Sequence, residues 1–347
     1  MKSKLLNLII ALVAIAASST LAAAQKRSPE KIDKVDKTEK IEKAEKTKVK
    51  VTRSVELEEQ AIAAEPGVVI NLCMESGRIK VRGGEQGEVR ASVPQGTKID
   101  FRRADAANSS SPAARIEVMV SEPADEDETA PRFGHCSGSV DLDLEVPRGA
   151  TLFLKSDNGE FDVDAVAEVH INTNGGRISM SHITRAVEAT SIDGDVSLED
   201  SSGRVRLESF SGSVDAVNIS KVAEGDFFKA KSLSNDVMLD NIGHSLVEVS
   251  TISGELTMRG PLARGGRYDL RTTSGDVTLT MPADSSFQLI AKVSEGGEIV
   301  TDFPLKYTGG VSSMTLLSSG RMVGTYGKGD ATINLSSFSG TLRLRRQ

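Results

Sequence analysis

The two cysteines are the residues whose type most directly predicts a covalent bond. The chain contains only Cys73 and Cys136. Cysteines of exported proteins pair in the oxidising compartments where those proteins fold, and the first residues of this chain, described below, predict export. A bond between them would stabilise the fold by about 4 kcal/mol, because it lowers the conformational entropy of the unfolded chain. The alternative is two unpaired thiols.

A second motif has the spacing of a nucleophile elbow. Gly134-His135-Cys136-Ser137-Gly138 reads G-x-C-x-G. Such an elbow needs a strand-to-helix turn, with an acid and a histidine placed around the sheet. The residues after Gly138 predict a strand and not a helix, so we expect no catalytic nucleophile. The four histidines have no metal-ligand spacing and are expected at the surface or in loops; they are His135, His170, His182 and His244.

Carboxylates recur after glycines, and glycoside hydrolysis requires two carboxylates at a defined separation. Polysaccharide hydrolases and lyases also use β-helices, so this enzyme class is one alternative. The recurring carboxylates are Glu160, Asp195, Asp236, Glu255 and Asp276. Because they recur with a repeat, we expect solvent-facing rungs and not a unique acid–base pair. With no Trp and 3 Tyr, the chain also has few side chains that could stack on a sugar.

Two acidic stretches, Asp157–Glu160 and Glu122–Glu128, could attract Ca²⁺. Neither has the pattern of an EF-hand loop or of the glycine-rich nonapeptide of calcium-binding β-helices. We therefore predict a solvated acidic surface. The sequence predicts no catalytic residue, no metal ligand and no cofactor.

These residues belong to a repeat that fills most of the chain. Apolar residues stand seven and five positions before one glycine, a small residue (usually Ser or Thr) three before it, and apolar residues two and four after it. Each half alternates apolar and polar residues, which is the pattern of a half-buried strand. A further copy near Gly296 has one inserted residue. The residues at the glycine position, called corner residues here, are Gly77, Gly159, Gly176, Gly194, Gly212, Asn235, Gly254, Gly275 and Gly340.

The phase of the alternation predicts a bend at each corner residue. The apolar residues lie at odd distances before the glycine and at even distances after it. In a straight strand the apolar side chains of the second half would therefore point outward. Turn dipeptides such as Asn158-Gly159 and Ser211-Gly212 support a corner. Asn235 replaces glycine in one copy, and Asn is the other residue that best tolerates a left-handed backbone. The pattern therefore predicts left-handed corner residues.

The spacing of the corners predicts the fold. Corners at 159, 176, 194, 212, 235, 254, 275 and 296 are about 20 residues apart. A unit of two short strands cannot bury its own apolar face, but stacked units can, each coil pairing with the next. We predict an all-β, parallel β-helix-like β-solenoid with a thin core of Val, Ile and Leu, and a ladder of Ser and Thr beside the corner. A β-sandwich-like meander is the alternative.

Several copies resemble a known bacterial family. The segments are Val140–Gly149, Thr190–Leu198, Ser250–Met258 and Thr272–Leu279. They are similar to the putative adhesins, a domain of unknown function built of β-strand repeats, and the resemblance covers about residues 55–345. It implies an exported cell-envelope or surface protein without known catalysis. The family brings no established binding residues to this chain.

The ends and the interruption of the repeat predict the domain organisation. Residues 1–24 have the charged start, apolar stretch and Ala-rich cleavage site of a signal peptide, and an uncleaved membrane anchor is the alternative. Residues 25–50 read as a solvated, charged Lys/Glu linker. Residues 51–347 form the β-repeat domain, with an irregular insertion at about 94–136 that contains two weaker strands, Lys98–Phe101 and Arg115–Val120. Nothing after the signal peptide approaches the length of a transmembrane span.

Charge and export together indicate the kind of function. The chain has a net charge of −7, and its first 50 residues, with 12 Lys and Arg against 6 Asp and Glu, carry +6. Residues 51–347 therefore carry −13, and an acidic repeat domain is unsuited to bind nucleic acid. We predict a secreted, non-enzymatic, adhesin-like interaction module whose partner is a protein or glycan of the cell envelope or surface. A periplasmic scaffold or envelope-stress partner is the alternative. Specificity is expected in the variable loops Ile219–Gly225, Asn241–Ser245 and Gly260–Arg267.

Overall fold

A computed structural model describes residues 57–104, 111–122, 136–307 and 320–347. Every regular element in these ranges is a β-strand. The strands are β1 Leu57–Gly84, β2 Glu88–Pro94, β3 Lys98–Arg103, β4 Ala113–Ser121, β5 Leu142–Pro147, β6 Thr151–Asp164, β7 Glu168–Gly175, β8 Ile178–Ser181, β9 Ala186–Asp193, β10 Val196–Glu199, β11 Arg204–Ser209, β12 Val214–Ile219, β13 Phe228–Ser232, β14 Val237–Ile242, β15 Leu246–Ser250, β16 Leu256–Arg259, β17 Arg267–Thr272, β18 Val277–Met281, β19 Phe287–Val293, β20 Ile299–Thr301, β21 Lys306–Tyr307, β22 Arg321–Tyr326, β23 Ala331–Ser337 and β24 Leu342–Arg346.

Stacked coils form two parallel faces that meet at the corner residues. The strand before each corner belongs to face A, which runs β4, β1, β6, β7, β9, β11, β13, β15, β17, β23 and β19. The strand after each corner belongs to face B, which runs β5, β1, β6, β8, β10, β12, β14, β16, β18, β24 and β20. The long strands β1 and β6 pass through both faces. The β-solenoid prediction is confirmed, and the parallel pairing excludes the sandwich alternative.

The coils stack in the register that the repeat predicts. On face A, Leu152 pairs with Val169, which pairs with Val187 in the next coil. On face B, Ile178 pairs with Val196, which pairs with Val214. All of these side chains are buried, so apolar residues form continuous rungs between the two faces. Burial of these rungs supplies most of the favourable free energy, because no coil has a core of its own.

The spatial order of the coils departs from the chain order at both ends. The last coil, β23 and β24, lies between the β17–β18 coil and the β19–β20 coil. At the other end β4 and β5 stack outside β1. The prediction that each coil pairs with the next is therefore wrong at the ends. The displaced order protects the edges of the sheet. The end strands β4, β5 and β19 pair antiparallel with β3, β2 and β22, which hydrogen-bond to backbone groups that would otherwise be unpaired.

The interruption of the repeat contributes to the same stack. The two weaker strands predicted there lie within β3 and β4, which form an antiparallel pair. β4 also pairs in parallel with β1, with Ile70 opposite Ile116. The segment is thus partly a coil of the solenoid and partly its cover.

The corner residues explain why glycine recurs. A Cβ on Gly212 would overlap the carbonyl oxygen of Gly194, and a Cβ on Gly254 would overlap that of Asn235. Close approach of neighbouring coils therefore excludes a side chain there. Positive φ occurs at only two of the corner residues, Gly77 and Gly176, so the prediction of left-handed corner residues is wrong at most corners, Asn235 included. The described non-glycine residues with positive φ are Ala165, His182, Asp200, Asn218 and Asn241.

Those left-handed residues form a second corner, six positions after the first. The exposed side chains at this corner bond from coil to coil: the Asn218 amide donates to Asp200 Oδ1 at 2.9 Å, and the Asn241 amide donates to Asn218 Oδ1 at 3.0 Å. Asn and Asp tolerate left-handed φ best after Gly, which accounts for their presence here.

The Ser and Thr residues three before each corner make the predicted buried ladder. The Ser232 hydroxyl donates to the Gly212 carbonyl at 2.9 Å and accepts from the Asn235 N–H at 3.1 Å. Ser209 makes the equivalent pair of bonds with Gly194 and Gly212. These two hydroxyls satisfy backbone groups of two coils that have no strand partner, whereas the buried Ser191 hydroxyl, at the same repeat position, has no hydrogen-bond partner among the described residues.

Candidate binding groove

A groove of about 580 Å³ lies on the outer side of face A, near its N-terminal end. Alternation places every second residue of β1, β6, β7 and β9 outward, and these residues form its floor. Outward residues of β3 and β4, which continue the same sheet beyond β1, complete its lining. We call this site the Phe153 groove. Its outward-facing lining residues are Asn71, Cys73, Asp100, Glu117, Met119, Ser121, Phe153, Lys155, His170, Asn172, Glu188 and Thr190.

An aromatic pair occupies the floor. The Phe153 ring stacks on the His170 imidazole with centroids 4.5 Å apart and planes 7° from parallel. The two residues are direct partners on β6 and β7, so the spacing of neighbouring strands, about 4.8 Å, imposes the stack. Phe153 nevertheless remains 42% exposed. An exposed phenyl ring held flat by a neighbour offers an apolar contact surface whose conformation is already fixed.

A charge network holds His170 in place. Its Nε2 lies 3.0 Å from Glu168 Oε1, and its Nδ1 lies 3.4 Å from Glu188 Oε2. Arg185 Nε contacts the other oxygen of Glu168 at 2.9 Å. Partial burial opposes ionisation of Glu168, but its hydrogen bond to His170 and the charge of Arg185 outweigh burial and hold the pKa of this carboxyl below its usual range. The imidazole is therefore fixed by partners on both of its nitrogens.

The charges around the groove are mostly negative. Asp100, Glu117 and Glu188 line it, while Lys155 is the one ammonium group among the described lining residues. An acidic rim around an exposed aromatic ring favours a ligand that combines a cation with an apolar stem. The neutral Asn71 and Asn172 amides add donors and acceptors on the same floor.

A disulfide lies at the groove, because Cys73 is one of its lining residues. Cys73 and Cys136 are joined by a disulfide, with Cα atoms 4.6 Å apart. The next residue, Ser137, donates its N–H to the Cys73 carbonyl at 3.5 Å and its hydroxyl to the Val120 carbonyl at 3.1 Å. The covalent bond and these contacts tie residues 136–137 to β1 and β4, two neighbouring strands of face A that both line the groove.

The recurring carboxylates do not converge on one point. Asp195, Asp236 and Asp276 each accept a hydrogen bond from the backbone N–H of the adjacent coil, at 2.9, 2.7 and 2.7 Å. Glu160 faces Arg78 at 3.8 Å. The corner carboxylates therefore connect coils, and within the described ranges no cluster of three or more His, Cys, Asp or Glu could hold a metal ion.

The histidines differ from one another. His182 is exposed and bonds Asp164 at 2.7 Å, and the hydrogen bond raises its pKa. His244 lies in a loop between β14 and β15, as predicted, but it is completely buried and not at the surface. Its Nε2 lies 2.7 Å from the Gly203 carbonyl, and its ring packs against Phe228. His135, Gly134 and most of Glu122–Glu128 lie outside the described residues.

Sequence reasoning missed the groove because the repeat draws attention to inward residues. Phe153 occupies an outward-facing strand position, where polar residues are the rule. An aromatic residue at such a position was the sequence signal that could have indicated the groove. The variable loops expected to carry specificity do not line the groove. They all follow a face B strand and precede a face A strand, on the side of the solenoid away from the corner residues.

The sequence model of the family described as Toastrack DUF4097 matches residues 30–345, nearly the whole chain. The chain belongs to this family. The resemblance to putative adhesins is thereby confirmed, and no enzyme family is indicated for this DUF4097 protein. No curated protein matches it. In the described part of the DUF4097 chain, no helix has the length and apolar character needed to cross a membrane.

Three solved structures are similar to the DUF4097 chain at low identity. One is described as a putative cell adhesion protein from Clostridium sporogenes, with 10% identity, 84% of this chain and 100% of that chain covered, and a TM-score of 0.24. A putative adhesin from Parabacteroides merdae has 9% identity, coverage of 84% and 97%, and a TM-score of 0.43. A putative adhesin from Parabacteroides distasonis has 8% identity, coverage of 84% and 98%, and a TM-score of 0.35.

Proposed function

We propose that the protein is an exported, non-enzymatic, adhesin-like interaction module that binds a partner of the cell envelope or surface in the Phe153 groove. The observation that carries this proposal is the 42% exposed Phe153 ring, stacked on His170 in an acidic groove. Recognition sites combine an exposed apolar anchor with a few fixed polar groups, and this groove has both.

The ligand that fits best is an extended protein segment with a basic side chain. The aliphatic stem of a lysine or arginine would lie on Phe153, and its charge would face Asp100, Glu117 or Glu188. The rigid, acidic solenoid around the groove would add weak contacts along the same partner. Binding should therefore weaken with rising salt concentration.

Fluorescence anisotropy with designed peptides tests the groove directly. The chain has no Trp, so a Trp-labelled peptide gives a signal without protein background. A Lys/Leu hexapeptide should bind, and the same peptide with Glu in place of Lys should not. Phe153→Ala should weaken binding at least five-fold.

Ile290→Ala is the matched control. Ile290 occupies the equivalent outward position on β19, is 38% exposed and does not line the groove. Equal binding of both peptides, or equal effects of the two substitutions, would contradict the proposal.

The location of the protein needs a separate experiment. Protease treatment of intact cells should release fragments if the module faces the outside. Full protection of the chain in intact cells, with cleavage after the outer envelope is opened, would favour the periplasmic scaffold or envelope-stress partner instead.

A further inference from the structure

An exposed apolar stripe runs along the corner between faces A and B. The residue two positions before the corner is apolar in four consecutive coils, and again in the coil beyond Thr273. Ile192, Phe210, Ile252 and Phe338 are 51%, 57%, 45% and 49% exposed, and Leu233 is half-buried. We call these five residues the corner ridge. Single exposed apolar residues are ordinary, but a contiguous stripe marks an interaction surface.

Backbone hydrogen bonds hold the ridge straight. Ser211 N–H donates to the Ile192 carbonyl at 2.9 Å, and Ser253 N–H donates to the Leu233 carbonyl at 3.2 Å. Ser274 N–H continues the series to the Ile252 carbonyl at 2.7 Å. With about 4.8 Å between coils, the ridge from Ile192 to Phe338 extends about 24 Å.

The two flanks of the ridge carry different charges. Four positions before the corner, on face A, stand the exposed Lys231 and Arg271 and the partly buried Glu208, and Arg271 also lies 3.8 Å from Asp269 of its own strand. One position after it, on face B, stand Asp195, Asp236, Glu255 and Asp276. Lys231 makes no ion pair with a described residue. The ridge is therefore an apolar line with a partly basic side and an acidic side.

We propose that the corner ridge is the contact surface of a homodimer in which two copies lie with their ridges parallel and in register. A two-fold axis along the ridge brings each apolar side chain against its own copy. It also places face A of one copy beside face B of the other, so Lys231 faces Asp236 of the partner and Arg271 faces Asp276 of the partner. An antiparallel arrangement would oppose acidic flank to acidic flank, which is unfavourable.

The area sets the strength of the association. Five half-exposed large side chains present roughly 500 Å² per copy, or about 1,000 Å² in total, at the lower limit of specific interfaces. The dimer is accordingly weak and concentration-dependent. This inference does not depend on the groove, but pairing would place two Phe153 grooves on one particle and raise avidity.

Sedimentation velocity of the purified chain tests the dimer. The sedimentation coefficient should rise with concentration from the micromolar to the sub-millimolar range. Phe210→Lys combined with Ile252→Lys should leave a monomer at every concentration. Met238→Lys is the control, because Met238 is 56% exposed on face B but outside the ridge. A monomeric wild type, or association unchanged by the double substitution in a folded variant, overturns the proposal.

Engineered cysteines test the parallel register. Cys73 and Cys136 are bonded to each other, so a single new cysteine is the one free thiol among the described residues. Ser211→Cys and Ser274→Cys, near opposite ends of the ridge, should each form an intermolecular disulfide with its own copy. Cross-linking only when the two variants are mixed would indicate antiparallel packing and overturn the register. If Phe210→Lys with Ile252→Lys abolishes binding to anionic vesicles while the wild type stays monomeric, the ridge contacts lipid and the proposal fails.

Discussion

The backbone N–H of Thr341 donates a hydrogen bond of 2.7 Å to Oδ1 of Asp276, although 65 residues separate them in the sequence. The bond exists because the last coil is inserted beside the β17–β18 coil. Arg343 contacts the other oxygen of the same carboxylate. One corner carboxylate thus connects the final coil to the main stack.

Replacing Asp276 should weaken this connection. The hydrogen bond from Thr341 is the largest cause that lowers the pKa of Asp276, so its stabilising effect is present at neutral pH and lost as the pH falls through the lowered pKa. We expect Asp276→Ala to lower the free energy of unfolding by about 1–2 kcal/mol at pH 7, and the deficit to shrink as the pH falls below about 3.9, the ordinary pKa of an aspartate. Urea unfolding measures both. Glu255→Ala, at the same repeat position without a backbone partner, should have little effect, and an equal loss would contradict the account.

A side chain at a corner glycine should be costly. Gly212→Ala forces a Cβ against the Gly194 carbonyl oxygen, which the parallel ladder cannot move easily. We expect a loss of about 3 kcal/mol in the free energy of unfolding. Gly67→Ala is the control, because a Cβ at Gly67 meets no atom within 4 Å. Similar unfolding midpoints for the two variants would show that close approach does not select glycine.

The buried hydroxyl ladder should matter more than exposed serines. Ser232→Ala removes the donor to the Gly212 carbonyl and the acceptor of the Asn235 N–H in a site without solvent access. We expect a loss of about 1–3 kcal/mol. Ser234→Ala, two residues away and exposed, should change the unfolding free energy by less than about 0.5 kcal/mol. No difference between the two variants would contradict the role of the ladder.

Acid should destabilise the fold through His244. Burial lowers its pKa, against the opposing effects of the Gly203 carbonyl and Asp226. Because the unfolded chain takes up this proton first, stability falls as the pH drops below about 6.5. Melting temperatures between pH 8 and pH 5 should fall for the wild type and change less for His244→Asn.

His182 provides the control of opposite sign. Its hydrogen bond with Asp164 raises its pKa, so its contribution is present below about pH 6.5 and is lost as the pH rises through the raised pKa. His182→Gln should therefore make the acid loss steeper. The same slope in all three proteins would rule out a histidine origin.

The disulfide should form in the exported protein and stabilise it. Peptide mapping without reductant should recover Cys73 and Cys136 in one linked fragment. The double substitution Cys73→Ser with Cys136→Ser should lower the free energy of unfolding by about 4 kcal/mol. Two free thiols in protein isolated from the envelope would refute the bond.

The outward residues were the hardest to interpret from sequence. Inward positions repeat because every coil meets the same apolar interior, so Val169 predicts Val187 and Val205. Outward positions have no common environment, and the stack of Phe153 on His170 depends on which strands are neighbours. The buried His244 was missed for a similar reason, since its partners Gly203 and Phe228 belong to other coils.

The sequence by itself determined the solenoid, its two alternating half-strands, its corner positions and its hydroxyl ladder. These features are local and periodic, so the same residue pattern is present in every copy of the repeat. Only the tertiary structure decided the order of the end coils, the reason for glycine at the corners, the groove and the ridge. Each of these depends on which coils lie side by side, and β-pairing between distant segments is set by edge protection and packing across the whole stack.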